Sequence, residues 1–414
     1  LTGCFDAYFR LALRLLENGR ITARKMYNCR GFVVHNNTDR WADTAVQDAG
    51  THCSYWFSGG VWIALDMWEH YRYTCDVNFL KEAWPLLHDA ARFVLDFMEE
   101  EDGELVMGVT SSPENFYYTE AGEKVSFCRM AAMDSQLIEM LFDACIQGLE
   151  VLKAEDASTE WCTVDFEQEL KIARKKLRTT KIGSDGTILE WGFEAREAEP
   201  AHRHQSHLIG AYPYNGITEK KPELWEAVKA SINKRIKNGG CNTGWSRAWG
   251  AGLLARLKEA DRAREMIFNM VRYSCQPNLM SCCNINRTPK LMENAMPMQM
   301  DGNMGCVQAV AELLLQSYDD EIVLLPALPQ GWRDGRFQGL RARGGAVVDA
   351  QWKDYKLLNA IITASADRML VIKTGEGYCM EGPCGTCNDA GGYFRFKAVK
   401  GGCYHIFRTD ETVS

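Results

Sequence analysis

Glu190-Trp191-Gly192-Phe193-Glu194, followed by His202-Arg203-His204-Gln205-Ser206-His207, packs carboxylates, imidazoles, a guanidinium and an indole into a short run. The run has no clean helical or strand period. Such stretches are loops, and loops on a rigid scaffold carry much of protein chemistry. Burial of a carboxyl against an indole disfavours its ionised form, which suits the group to general acid work. That is the reading favoured for Glu190 beside Trp191. The plainer alternative makes Glu190 a solvated loop residue and the histidines hydrogen-bonding scaffold.

Three other polar loops combine carboxylates or amides with aromatic residues. Residues 35–56 hold His35-Asn36-Asn37-Thr38-Asp39-Arg40-Trp41, then Asp43, Gln47, Asp48 and His52. Residues 111–117 centre on Ser111-Ser112-Pro113-Glu114-Asn115, and residues 299–305 open with Gln299-Met300-Asp301-Gly302-Asn303. Asp301 is either a first-turn acid on free helical N–H groups or a carboxylate aimed into a site from a helix N-terminus. Gly302 is expected to permit an unusual backbone conformation there. The chain has 12 tryptophans. Indole faces suit the C–H faces of sugar rings, although for any single tryptophan a core position is the better expectation.

These loops need a scaffold. Apolar spacing predicts helices over 3–27, 59–73, 78–100, 131–154, 164–178, 218–237, 245–257, 259–273 and 303–317. In the third, Trp84, Leu87, Ala91, Val94 and Met98 form one stripe, Pro85 falls within the first two turns, and Glu101-Asp102-Gly103 is the stop. Val307, Val310 and Leu314 mark the buried face of the last. Residues 104–130 read as irregular. After about residue 318 the pattern changes to strand lengths, 321–325, 344–352, 356–364, 368–373 and 392–399, separated by turn residues. The expectation is a helical domain over 1–318 and a small β domain over 319–414.

Other classes are excluded or outweighed. The formal charge of −8 is spread along the chain with no basic block, so nucleic acid and anionic membrane are not expected partners. No apolar run approaches the roughly 18 residues of a membrane span. There is no G-x-S-x-G elbow, phosphate-binding glycine loop or H-E-x-x-H. The 16 cysteines are scattered and read as reduced, mostly buried thiols. Cys384-Gly385-Thr386-Cys387, with Cys379 and Cys403 nearby, lacks a second pair at zinc-site spacing. A metal on His202, His204 and His207 would need a tight wrap beside the repelling Arg203. No metal or cofactor is expected. A cytoplasmic protein is expected, with the opening at Leu1 leaving any upstream targeting information unread.

Together these pieces resemble glycoside hydrolase family 95, which contains α-L-fucosidases and some α-L-galactosidases. The resemblance rests on 35–45 (HNNTDRWADTA), Ser111–Asn115, Glu190-Trp191, His202–Leu208, Thr243-Gly244-Trp245-Ser246-Arg247-Ala248-Trp249, Gln299–Asn303 and Leu324-Leu325-Pro326-Ala327-Leu328-Pro329, in the family's order, up to about residue 352. It implies an (α/α)6 helical barrel followed by a C-terminal β domain, and hydrolysis of terminal α-linked L-fucose on glycans with inversion. It also implies Glu190 as general acid, and Asp301 as the residue that helps an amide of an Asn-x-Asn pair to activate water. Arg203 and His204 match sugar-contacting positions, with Asn37, Asp39 and Glu114 as further loop candidates. The family's N-terminal β domain and Asn-x-Asn motif are expected ahead of Leu1. Tyr212-Pro213-Tyr214-Asn215 stands where the family turns through a glycine, and residues after about 375 fall outside the resemblance. The alternatives are an α-L-galactosidase on the same scaffold, an inactive sugar-binding fragment, and a helical-barrel phosphorylase.

Overall fold

The computed structural model describes residues 4–47, 50–155, 160–283, 298–383 and 385–409. Its helices are α1 (Cys4–Tyr27), α2 (Thr51–Ser54), α3 (Gly59–Thr74), α4 (Val77–Phe97), α5 (Ala132–Ala154), α6 (Val164–Lys176), α7 (Pro222–Lys237), α8 (Gly244–Arg256), α9 (Ala260–Ser274) and α10 (Met300–Leu314). The chain forms two compact units: Leu1–Tyr71 with Asp76–Gly210 and Gly216–Lys234, and Arg72–Cys75 with Ala211–Asn215 and Arg235–Ser414.

In the first unit α1 packs on α4, α4 on α5 and α5 on α6. Asp76 caps α4, its carboxylate accepting from the amides of Asn78 and Phe79. The buried face of α4 carries Leu80, Trp84, Leu87, Ala91 and Val94, as its spacing predicts. The helix stops at Phe97, three residues before the expected end. Met98–Glu101 (β1) instead pairs antiparallel with Glu104–Met107 (β2). The turn is Asp102-Gly103, both at positive φ (54° and 82°), which is hairpin rather than helix-stop chemistry. Pro85 is the ninth residue of α4, past its first two turns, so the carbonyl four residues back lacks its usual intrahelical partner.

Residues 104–130 are more ordered than expected. They hold β3 (Val109–Ser111), β4 (Tyr117–Tyr118), β5 (Lys124–Val125) and β6 (Phe127–Arg129). β3 pairs with β6, and β4 pairs with both β5 and β7 (Arg196–Glu197). These short ladders tether the 111–117 loop to the 190–197 segment.

In the second unit α8 lies against α9 and α10. Thr243 and Ser246 form a reciprocal capping box at the start of α8. The expected buried face of α10 is correct at Leu314 and wrong at Val307, which is 69% exposed. Helical spacing identifies a face but not its neighbours. The β region comprises β8 (Leu315–Gln316), β9 (Ile322–Leu324), β10 (Gly335–Ala342), β11 (Ala346–Lys353), β12 (Lys356–Ala364), β13 (Arg368–Lys373), β14 (Tyr378–Gly382), β15 (Gly385–Asn388), β16 (Tyr393–Ala398) and β17 (Cys403–Arg408). They form a six-stranded sheet, β10-β11-β12-β17-β14-β15, and a four-stranded sheet, β16-β13-β9-β8. Val348 and Ile362 from the first share one apolar core with Ile372 and Phe394 from the second.

The cysteine expectation holds in part. The 15 described cysteines are free thiols, with Cys4, Cys387 and Cys403 exposed. Cys384 and Asp48 lie outside the described residues.

Candidate active site

Glu190 is placed by backbone first. Its carbonyl accepts from the amide of Ala132, the first residue of α5, at 3.0 Å. Trp191 is 2% exposed and packs with Cys128 and Ala131. Gly192 turns the chain at φ 80°. The sequence thus buries the indole to fix the residue before it.

The Glu190 side chain is buried, at 5% exposure, and both carboxyl oxygens are held. Ser112 Oγ donates to Oε1 at 2.8 Å, and Asn115 Nδ2 donates to Oε2 at 3.1 Å. His207 Nδ1 stands 3.7 Å from Oε2. Ser112 and Asn115 are fully buried and close a turn of their own, the Asn115 amide donating to the Ser112 carbonyl at 2.9 Å. Their role escaped the sequence reading, which singled out the charged Glu114 between them. A polar loop residue on either side of a candidate acid was the available signal.

Glu114 faces a second cluster. It is ion-paired with Arg203, and His204 Nε2 lies 3.8 Å from its Oε1. Burial alone would raise the Glu114 pKa. The His204 contact and the Arg203 charge outweigh it and bring the group down to about 2. The Glu114 amide donates to His202 Nε2 at 3.3 Å, so that nitrogen is the unprotonated one and the ring proton sits on Nδ1, 3.3 Å from a Glu199 carboxylate oxygen. Ser206 Oγ donates to the Pro113 carbonyl at 2.5 Å. Glu190, Glu114, Arg203 and His204 therefore belong to one network joining the 111–115 and 190–207 segments.

Asn37 and Asp39 stand outside that network among the described hydrogen bonds. Asn37 is exposed. Asp39 Oδ1 accepts from the amides of Trp41 and Asp43 at 2.9 and 3.2 Å, a turn-forming role. Their loop is anchored by buried His35, whose ring bonds the Thr44 carbonyl at 2.7 Å and the Tyr27 hydroxyl at 2.6 Å.

Asp301 belongs to the second unit and Glu190 to the first. Asp301 lies in the first turn of α10 and is exposed, with Oδ1 accepting from the Gly302 amide at 2.9 Å. The residues around it hold the backbone. Gln299 Oε1 accepts from the Trp245 amide at 3.1 Å, and Asn303 Oδ1 accepts from the Ser281 amide at 2.8 Å. Gly302 has no positive φ, contrary to expectation. Its small size is what matters: a Cβ there would lie 2.9 Å from the Gly244 carbonyl carbon, where α8 begins.

Among the described residues no group of three or more His, Cys, Asp or Glu side chains is arranged to hold a metal ion. No described helix is long and apolar enough to cross a membrane.

Comparison with known proteins agrees with the sequence pattern. Residues 1–314 match the glycosyl hydrolase family 95 catalytic domain, and residues 316–406 match the glycoside hydrolase family 95 C-terminal domain. The second match extends the family's coverage past residue 375, where motif reading had stopped. The chain is 36% identical over 363 residues to alpha-L-fucosidase 2 of Arabidopsis thaliana, covering 86% of this chain and 41% of that protein. It is 27% identical over 364 residues to a protein of Aspergillus niger named "Probable alpha-fucosidase A", covering 82% and 43%. The chain thus spans about two fifths of the length of these relatives. A solved structure of a candidate kojibiose phosphorylase from human microbiome superposes with TM-score 0.55 at 10% identity, over 92% of this chain and 51% of that one, a likeness of fold. With motifs in family order and both domain matches end to end, the chain belongs to glycoside hydrolase family 95.

Proposed function

We propose that this chain carries the core of an α-L-fucosidase that removes terminal α-linked L-fucose from glycans with inversion. The observation that carries the reading is the buried Glu190 carboxyl, each oxygen held by its own donor, in a family 95 chain. In this reading residues 1–318 form an (α/α)6 barrel and residues 319–414 a β domain. Glu190 protonates the departing glycosidic oxygen. Ser112 and Asn115 fix the direction in which it does so, the positioning on which proton transfer depends. Asp301 orients the group that activates water, the role an inverting reaction needs beside its general acid. Arg203 and His204 hold sugar hydroxyls. Arg203 suits this because a guanidinium has five N–H donors, more than its Glu114 partner uses. Asn37, Asp39 and Glu114 line the approach.

The test is turnover of methyl α-L-fucoside, whose poor alkoxide leaving group requires protonation, by wild type and Glu190→Gln. The variant should lose about 10²–10⁴-fold in kcat, the usual worth of a general acid, with little change in Tm. The first-formed sugar should be the β-anomer by NMR. Near-normal turnover in Glu190→Gln removes Glu190 from the mechanism. Faster turnover of the α-L-galactoside, a requirement for phosphate, or fucose binding without turnover would each replace this reading with one of its rivals.

A further inference from the structure

The first turn of α5 holds a buried carboxylate that the proposed chemistry does not use. Asp134 is fully buried. Its Oδ1 accepts from Trp56 Nε1 at 3.0 Å and from Ser58 Oγ at 2.6 Å, and its Oδ2 accepts from Thr110 Oγ1 at 3.0 Å. Burial raises the carboxyl's pKa to about 6 despite these donors. An ionisable group kept at such a cost, where an apolar side chain would fill the space, asks for a role.

Its partners point to one. Thr110 lies in β3, two residues before Ser112, whose hydroxyl holds Glu190 Oε1. Ala132, two residues before Asp134 in the same helical turn, donates its amide to the Glu190 carbonyl. One turn of helix therefore grips both sides of the Ser112–Glu190 contact. The same turn reaches further: Gln136 Nε2 donates to the His207 carbonyl at 2.8 Å, and Gln136 Oε1 accepts from the Gly210 amide at 2.7 Å.

We infer that Asp134 is a positioning residue for Glu190: through Thr110 it sets the place of Ser112 and Asn115, and so the orientation of the carboxyl they hold. This rests on the reading of Glu190 as the acid. Asp134 touches no reacting atom and acts only through the 110–115 segment. Its bonds to Trp56 and Ser58 pin the 56–58 segment to the same point.

The experiment uses Asp134→Asn, Thr110→Val and Thr110→Ser in the 414-residue chain. Crystal structures of the first two should show Ser112 Oγ moved out of hydrogen-bond reach of Glu190, and Thr110→Ser should keep the contact. Turnover of methyl α-L-fucoside, whose leaving group requires protonation, should fall about 10- to 100-fold in kcat for Asp134→Asn and Thr110→Val, with KM within about threefold, and recover in Thr110→Ser. A purely structural role would lower Tm and leave the ratio of kcat to KM unmoved. Should Asp134→Asn not fold, Thr110→Val carries the test, since it removes a single hydroxyl. An unchanged Ser112–Glu190 contact with kcat within about twofold of wild type overturns the inference. Full activity in Glu190→Gln would instead overturn the acid assignment, so the two failures are distinct.

Discussion

Ser112 and Glu190, 78 positions apart in the chain, meet with hydroxyl and carboxyl oxygens 2.8 Å apart in a fully buried setting. Ser112→Ala leaves one carboxyl oxygen without that donor. A hydrogen bond contributes a net of about 0.5–1.5 kcal/mol, so kcat should fall about 2- to 10-fold with KM nearly constant. Asn115→Ala should act in the same direction through the other oxygen. A steady-state comparison with methyl α-L-fucoside, whose leaving group requires protonation, checks both, and an unchanged kcat in the pair would show that the carboxyl's orientation does not matter.

The Glu114–Arg203–His204 cluster makes a pH-dependent contribution to stability. The folded Glu114 pKa, about 2, lies below the ordinary 4.5. The stabilisation is therefore fully present above about pH 4.5 and disappears as pH falls toward 2. With Glu114 28% exposed, screening leaves on the order of 2 kcal/mol. Glu114→Gln should be less stable than wild type in denaturant melts at pH 7, with the gap narrowing at pH 3. A gap independent of pH would exclude the charge pairing as its source.

Asp134 has the opposite sign. Its folded pKa of about 6 exceeds the ordinary 3.8. The folded state holds the proton more tightly, so the group's favourable contribution exists below about pH 4 and is lost as pH rises to 6, by on the order of 3 kcal/mol. Asp134→Asn should flatten the decline of stability between pH 4 and 6. Parallel wild-type and mutant curves would mean that Asp134 titrates as it does in the unfolded chain.

Arg256 and Glu312 form a buried bidentate pair in the second unit, with N–O distances of 2.6 and 3.1 Å. The same guanidinium donates to the carbonyls of Ala211, Pro213 and Tyr214, which holds the Tyr212-Pro213-Tyr214 turn. Removing one partner strands a buried charge. Arg256→Met or Glu312→Leu should each cost about 3–5 kcal/mol, and the double variant should recover part of it. Guanidinium denaturation of the three variants measures this directly. Additive losses would mean that the pair is not coupled.

How much of this was legible follows from what each signal encodes. Helix α5 and strands β12 and β13 match their predicted spans closely because burial on one face writes a period into the sequence. Strand β10 was missed: Gly335-Arg336-Phe337-Gln338-Gly339 mixes charge and glycine, and a register shift between Phe337 and Leu340 breaks the alternation. Strand β17 was missed although its buried Tyr404 and Ile406 alternate with exposed Cys403 and His405. At the site, charged loop residues announced themselves, whereas Asp134 and Gln136 did not. They sit in a helix whose apolar pattern is strong, and Asp134 looks like an ordinary first-turn acid until its partners on two other segments are known.

The α5 turn also governs how the region moves. Its grip on the backbone at Glu190 and at Gly210 ties two strand-less stretches to the most buried helix of the unit. Breathing of one cannot proceed far without loosening the other, so the amide protons of Ala132 and Gly210 should exchange with solvent as members of one cooperative unit. Substrate would then meet loops that are quiet before it arrives, and little ordering would remain to be done on its account.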